Sequence, residues 1–374
     1  MDKINFAEPF VGKLENTHIK KAIESKWLGK GEFVNKFEKD FSKIIKSNYC
    51  ITTNNGTSAC LLILMHLKIK PGDEIIIPSM TYISPIHMIK LLGGVPVVVD
   101  VDKDTFQIDI KKINKKISKK TKAILIIHNY GGVCDYSEII NQAKKKKITI
   151  IEDFSETCLS KIKNKFVGAN FIKGLNLISF CSLHSTKTIT TGEGGLILTN
   201  SKKNYLNISN LRDHGVHKKK AYVYNQVGGN FRLSNILAAI GCAQLKRIHF
   251  IMEKKIQLNK VYQKYLFNNN KIRFQKDPKS KNIVKWSFPI KCSNKILTNK
   301  IINFLNLNRT IVRPSFKSLD RFKYLNLINI QKNKKNDFIN SKILDETVVL
   351  LPMHLNLSNS NVKFICNEIN RLSN

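Results

Sequence analysis

From about residue 48 to 200 the chain alternates short runs of β-branched and aliphatic residues with segments of mixed polarity. Glu74–Pro78, Val95–Asp100, Ala123–His128 and Ile148–Asp153 are near-continuous apolar runs. That is the pattern of strands covered on both faces, not of strands with one wet face. Thr57–Leu67, Pro85–Leu92, Ile110–Ile117 and Tyr136–Lys147 read as helices between or beside them, and Leu196–Thr199 as a further strand. A strand–helix–strand rhythm of this kind predicts an α/β fold built on a doubly wound parallel sheet. Such sheets bind ligands beyond the carboxyl ends of their strands, which puts Ser79–Tyr82, His128–Gly132 and Asp153–Glu156 at the expected edge. After about residue 245 the texture turns polar and rich in Asn and Lys. Phe288–Lys291, Thr310–Arg313 and a closing helix over Asn361–Leu372 predict a smaller α+β domain. A long helical stretch from Leu233 to Phe250 and onward joins the two. The division is a large domain over 1–245 and a small C-terminal domain over 246–374, with the N-terminal segment a candidate to pack on the small one.

Length agrees with two domains, since 374 residues exceed a single simple core. No apolar run approaches the roughly 18–20 residues that cross a bilayer, and Met1–Phe6 lacks the layout of a signal peptide. The eight cysteines are scattered without a Cys-x-x-Cys pair. That suits reduced, buried thiols in a cytoplasmic protein and argues against a metal site or a disulfide framework. The formal charge of +36, from 63 Lys and Arg against 27 Asp and Glu, raises nucleic acid as a partner. The excess is mostly Lys, however, and it comes with abundant Asn and Ile, three residues that share A/T-rich codons. The clusters at Lys111–Lys122, Lys144–Lys147, Lys218–Lys220 and Lys332–Lys335 fall where helix surfaces or loops are expected. None is interleaved with stacking aromatics. They read as solvated faces, with no specific nucleic acid and no membrane as partner.

Four places carry candidate chemistry. Asn54–Ala59 sets a glycine and two hydroxyl residues before an apolar helix, a layout that offers free N–H groups to a phosphate or simply caps the helix. Asp153 closes a buried strand at the ligand edge, where a carboxylate can hold a protonated ring nitrogen or cap a turn. Thr81-Tyr82 puts an aromatic ring after another strand, to stack on a ligand or to pack. In Ser182–Gly195, Lys187 stands between a hydroxyl-rich segment and a glycine-rich turn. A lysine forms Schiff bases with carbonyls when its surroundings favour the neutral amine.

Taken together these segments resemble the DegT/StrS family of nucleotide-sugar aminotransferases, fold-type I enzymes dependent on pyridoxal 5′-phosphate (PLP). The matching pieces include Asn55–Ala59, Pro71–Ile75, Pro78–Tyr82, His128–Gly131, Ile151–Asp153, Thr186–Gly195, Leu211–Gly215, Gly229–Ser234 and Leu351–His354, and they run from residue 7 to 372. The resemblance implies a large PLP-binding domain with a mostly parallel seven-stranded sheet and a smaller C-terminal α+β domain. It makes Lys187 the Schiff-base lysine and proton carrier, Asp153 the partner of the pyridine nitrogen and Tyr82 the ring-stacking residue. Gly56, Thr57 and Ser182 become phosphate contacts, and Asn230 a phosphate ligand supplied to the neighbouring subunit of a homodimer with shared sites. Glu156, three residues after the aspartate, stands where many relatives have Gln or His, and is similar to the perosamine-synthase branch, as are Lys187-Thr188-Ile189 and Arg313-Pro314. Trp27 and Arg313 match positions near the sugar-nucleotide pocket. His128 is a third candidate there, although for it and for His184 a packed or hydrogen-bonded ring is the plainer reading. A dehydratase branch has His in place of the lysine, so Lys187 favours transamination. The implied reaction passes an amino group from an amino acid, by resemblance glutamate, to a nucleotide-linked 4-keto-6-deoxy sugar, as in surface-glycan or related amino-sugar biosynthesis. Amination at C3 and a non-catalytic PLP-binding regulatory role stand as alternatives. One departure, the Asn170–Ile178 stretch, looks longer than the family's and puts a surface loop near the site in question.

Overall fold

The computed structural model describes residues 3–216, 222–278, 280, 282–327 and 335–374. Lys218–Lys220 and positions 332–334 of the lysine clusters lie outside these. The strands of the first two thirds are β1 (Tyr49–Thr53), β2 (Glu74–Pro78), β3 (Val95–Val99), β4 (Thr121–Ile127) and β5 (Thr149–Asp153). A small hairpin, β6 (Lys161–Ile162) and β7 (Lys165–Phe166), separates them from β8 (Leu177–Ser182) and β9 (Gly195–Thr199). All but the hairpin join one seven-stranded sheet in the order β1-β9-β8-β5-β4-β2-β3. β3, β2, β4, β5 and β8 run parallel, and β9 is antiparallel to both of its neighbours.

Neighbouring residues of the central strands go to opposite cores. Ile77, Leu125 and Ile151 face the helix Gly56–His66, while Ile76, Ile124 and Ile150 pack with Val97, Ile139 and Ala143 on the other side. Both faces are therefore dry, and the runs are continuous rather than alternating for that reason. Parallel pairing requires long crossovers, and the chain supplies the helices Ser84–Leu91, Ile110–Ile113 and Ile140–Lys145 for them.

Several elements differ from the sequence expectation. The helix expected over 110–117 stops at Ile113, and the one expected from Tyr136 opens with a 3₁₀ turn, Ser137–Ile139. The stretch from Leu233 splits into Asn235–Lys246 and Ile248–Leu266. Arg247 leaves helical geometry between them, and its guanidinium reaches Glu15 and the Phe10 carbonyl. Two N-terminal helices, Lys13–Glu24 and Glu32–Ile45, went unread; both pack on Asn235–Lys246. Cysteine usage agrees with the expectation: all eight thiols are free and buried.

The small sheet is antiparallel, in the order β10 (Ile272–Phe274), β11 (Phe288–Cys292), β13 (Val348–Leu351), β12 (Arg313–Pro314). Of the expected run Thr310–Arg313, only Arg313 belongs to β12, because Thr310 pairs with the N-terminus instead. Ile4 N–H donates to Arg309 O at 2.8 Å and Ile311 N–H to Ile4 O at 2.8 Å. Ile4 thereby enters the same apolar cluster as Leu258, Phe288, Val349 and Ile365. No helix among the described residues is long and apolar enough to cross a membrane.

The turn into the seven-stranded sheet is locked by Arg212. Its Nη1 donates to Glu38 at 2.6 Å and to Thr52 O at 3.0 Å, and Glu38 also accepts from the Thr52 N–H at 2.8 Å. Both side chains are largely buried, so removing the carboxylate strands a guanidinium. Glu38→Ala is expected to lower unfolding stability by about 3–5 kcal/mol, read as a shift of the urea midpoint at unchanged slope.

Candidate active site

A cleft of about 490 Å³ opens at the carboxyl edge of the parallel strands. Four of the five parallel strand ends contribute: Thr81 and Tyr82 after β2, His128 and Asn129 after β4, Asp153, Ser155 and Glu156 at β5, and Ser182 and His184 at β8. The N-terminus of the helix Gly56–His66 forms one wall, while Trp286, Arg313 and Phe316 form another.

The helix wall suits an anion. The Asn55 side chain caps the helix by accepting the Ser58 N–H at 2.7 Å, which leaves the N–H groups of Gly56 and Thr57 without intrahelical partners. Gly56 is required by close approach, because a Cβ there would lie 2.8 Å from the Ser182 Cβ. The helix end and the end of β8 are thus pressed together, and the Ser182 side chain stands beside the free amides.

Asp153 ends β5 with one oxygen committed. Its Oδ1 accepts the Ser155 N–H at 2.9 Å and the Ser155 hydroxyl at 2.5 Å, while that hydroxyl accepts the Ser182 N–H at 2.8 Å. Oδ2 carries no hydrogen bond among the described residues and is left for a ligand. Burial raises the Asp153 carboxyl above the ordinary range, against the lowering effect of the Ser155 bonds and of Lys187. A cationic N–H donor brought to Oδ2 would offset that desolvation.

Lys187 lies on the segment between β8 and β9. Its Nζ donates to Glu156 Oε1 at 3.0 Å and sits 4.2 Å from the centroid of the Trp286 ring. The other Glu156 oxygen accepts the Tyr130 N–H at 2.6 Å. Tyr130 reaches that position only with φ of 62°, in the left-handed region, and its hydroxyl accepts the Phe316 N–H at 2.8 Å. Gly131 follows at φ of 99°, and a Cβ there would meet the Lys285 Cα at 2.5 Å. The turn after β4 and the segment around Trp286 are therefore in backbone contact.

The structure gathers Gly56, Thr57, Tyr82, Asp153, Glu156, Ser182, Lys187 and Arg313 around this cleft. Tyr82 is 61% exposed at its mouth, and Arg313 stacks its guanidinium 4.6 Å over the Phe6 ring. Three sequence candidates stand differently. His128 touches the cleft, but both ring nitrogens are engaged, one with Glu152 at 2.9 Å and the other with the Cys134 N–H at 3.0 Å. It is a packed frame residue, with no nitrogen left for a sugar. Trp27 is exposed outside the cleft, its indole N–H on the Lys30 carbonyl. Asn230 is also outside this chain's own cleft, where it accepts from Arg232 Nε at 3.0 Å. The Asn170–Ile178 stretch ends at the amino end of β8, on the side of the sheet opposite the cleft. Trp286 and Phe316 are missed from the sequence, while Tyr130 and Ser155 fall inside the expected ligand edge without a role of their own. Tyr130 and Ser155 adjoin recognisable motifs, whereas Trp286 and Phe316 stand in stretches with no local signal.

Because its burial opposes ionisation, Asp153 binds its proton more tightly in the folded than in the unfolded chain. The native state therefore loses stability as pH rises through that window. Asp153→Asn is expected to raise the melting temperature of the ligand-free protein at pH 7. The gain should vanish in acid, where the native carboxyl is protonated; differential scanning calorimetry at the two pH values reads both.

Comparison with known proteins places this geometry. A model of the DegT/DnrJ/EryC1/StrS aminotransferase family matches residues 9–370. GDP-perosamine synthase of Escherichia coli O157:H7 is 33% identical over 371 residues, covering 99% of this chain and 98% of the relative. Among solved structures, Helicobacter pylori PseC, an aminotransferase of pseudoaminic acid biosynthesis, superposes with a TM-score of 0.89 at 25% identity, covering 99% of each chain. The E. coli GDP-4-keto-6-deoxy-D-mannose-3-dehydratase with bound hydrated PLP shares the fold at a TM-score of 0.89 and 21% identity, again with 99% of each chain covered.

Proposed function

The chain belongs to the DegT/DnrJ/EryC1/StrS aminotransferase family, and we propose that it carries the amino group of an amino acid, glutamate first among candidates, to C4 of a nucleotide-linked 4-keto-6-deoxy-hexose. PLP is the cofactor, and the side chains of the cleft fit it. The unpaired helix amides suit its phosphate, the uncommitted Asp153 oxygen its ring nitrogen, and the Lys187 amine its aldehyde. The observation that carries the reading is this convergence of three chemically distinct partners on one cleft. C4 is favoured by the likeness to GDP-perosamine synthase, perosamine bearing its amino group at C4, and guanosine diphosphate is the first nucleotide to test.

When bound, the cofactor supplies an electron sink that lets an amine and a carbonyl exchange between donor and acceptor. Lys187 Nζ takes the proton from the donor's α-carbon and, in the second half of the cycle, delivers one to C4 of the sugar. Asp153 holds the proton on the ring nitrogen. Gly56 and Thr57 amides and the Ser182 hydroxyl hold the phosphate, Tyr82 covers a ring face, and Glu156 fixes the Lys187 amine by the hydrogen bond already formed. Arg313, whose guanidinium lies over Phe6 and carries no hydrogen bond or ion pair among the described residues, is the candidate contact for the anionic part of the sugar nucleotide. Asn230 serves the phosphate of a neighbouring subunit, which makes the active form a homodimer.

Incubation with PLP, glutamate and a panel of nucleotide keto-sugars, followed by mass analysis, is expected to yield an amino sugar from one of them. Lack of product across the panel, or an amine at C3 by NMR, would overturn the C4 reading. Lys187→Ala should abolish both turnover and the visible absorbance of the loaded enzyme; retained absorbance would remove Lys187 from its role. Mixing Lys187→Ala with Asn230→Ala subunits should restore about a quarter of parental activity, since half the dimers are mixed and each has one intact site. No recovery would refute shared sites.

A further inference from the structure

The mechanism leaves one buried titratable cluster unused, on the side of Lys187 away from the cleft. Lys255, on the helix Ile248–Leu266, is 3% exposed and meets no carboxylate within ion-pair distance among the described residues. Its ammonium donates only to two carbonyls, Lys285 O at 3.3 Å and Trp286 O at 3.5 Å. Trp286 packs against Lys187 and the residues that hold it. Its backbone N–H donates to Glu156 O at 3.1 Å, its indole N–H donates to Thr186 O at 2.8 Å, and its ring lies 4.2 Å from Lys187 Nζ. Three contacts of Trp286 thus go to Lys187, its neighbour Thr186 or its counter-charge. The indole also packs edge-on against Phe6 with ring centroids 5.4 Å apart, and the Trp286 backbone carbonyl is reached by Lys255. We propose that Lys255 is a positioning residue for Lys187, acting through Trp286, with its charge deciding how firmly the indole is held.

Lys255 and Lys187 share the wall of a small cavity of about 10 Å³ with Trp286, Thr188, His354 and Glu8. The charged groups facing Lys255 from the packed elements are Lys187, the buried His354 after β13, and Glu8 of the N-terminal segment, whose carboxylate is 3.8 Å from His354 Nδ1. Lys285 is neutralised by Asp277 at 2.7 Å. Burial, with the Lys187 charge added, pushes the Lys255 ammonium down to about 7. Its proton is therefore present below neutrality and lost above it, so the grip on the 285–286 carbonyls weakens as pH rises through 7.

The proposal rests on Lys187 being the reactive amine, yet its principal test needs no cofactor. The chain has two tryptophans, Trp27 and Trp286, so Trp27→Phe in the full-length protein leaves Trp286 as sole emitter. Its fluorescence is expected to change with a midpoint near pH 7. In that background Lys255→Met should hold emission at its high-pH value and Lys255→Arg at its low-pH value across the range. His354→Asn should leave the transition in place. A transition that survives both Lys255 substitutions, or vanishes with His354→Asn, overturns the proposal; if Lys255→Met does not fold, the Arg variant decides alone. In the PLP-loaded enzyme Lys255→Met should lower kcat on the order of tenfold with the sugar KM little changed, as misplacement of the amine requires. Should Lys187→Ala keep the visible absorbance, the reading of Lys187 fails while the fluorescence result stands independently.

Discussion

A primary amine held at the end of a buried sheet needs a counter-charge and a fixed direction, and Glu156 provides both. One oxygen takes the Lys187 ammonium at 3.0 Å, the other takes the Tyr130 N–H at 2.6 Å, and the backbone carbonyl takes the Trp286 N–H at 3.1 Å. Three parts of the chain, about 26 to 130 residues away from it in sequence, are thereby referred to one residue. Truncating the side chain would release the amine and orphan the buried Tyr130 N–H together. The left-handed backbone at Tyr130 persists because Glu156 on one side and the Phe316 N–H on the other both hold that residue.

The cleft is consequently shared between the parallel sheet and the C-terminal unit. Trp286, Arg313 and Phe316 close it from one side, and the strand ends of the large sheet build the other. What keeps the two in register is a set of elements that enter both cores. Ile248 and Ile251 of the helix Ile248–Leu266 pack under the large sheet, while Leu258, Tyr262 and Leu266 of the same helix lie in the core beneath the small sheet. Ile4 adds a second tie from the other end of the chain.

Scarce carboxylates are spent inside. Asp100 accepts from Ser79, Val101, Asn340 and Ser341, Asp345 pairs with Lys317 and Arg321, and Glu152 holds His128. With 27 acidic residues against 63 basic ones, the basic residues outnumber the carboxylates available to pair them, and an exposed pair would contribute only about 0–1 kcal/mol in any case. The acidic residues go where a lost partner is costly, and the basic surplus lies where it is cheap.

Local chemistry made much of this protein legible in one dimension. Dry strands announce themselves as unbroken apolar runs, and the residues that follow them fall at the ligand edge because side chains and loops obey the strand direction. Lys187, Asp153, Glu156, Gly56 and Ser182 sit next to such signals, so each was found from its own neighbourhood and from the motif around it. The N-terminal helices, the break at Arg247 and the pairing of Thr310 with Ile4 were not legible, since each depends on a partner distant in the chain. The same holds for the partners that claim the two His128 nitrogens, Glu152 and Cys134, and for Trp286, which no motif marks. The sequence by itself determined which chemical groups stand at the edge of the sheet. Only the tertiary structure decided which of them remain free to act, because a hydrogen bond or an ion pair across the fold is a fact about distance, which composition and spacing do not contain.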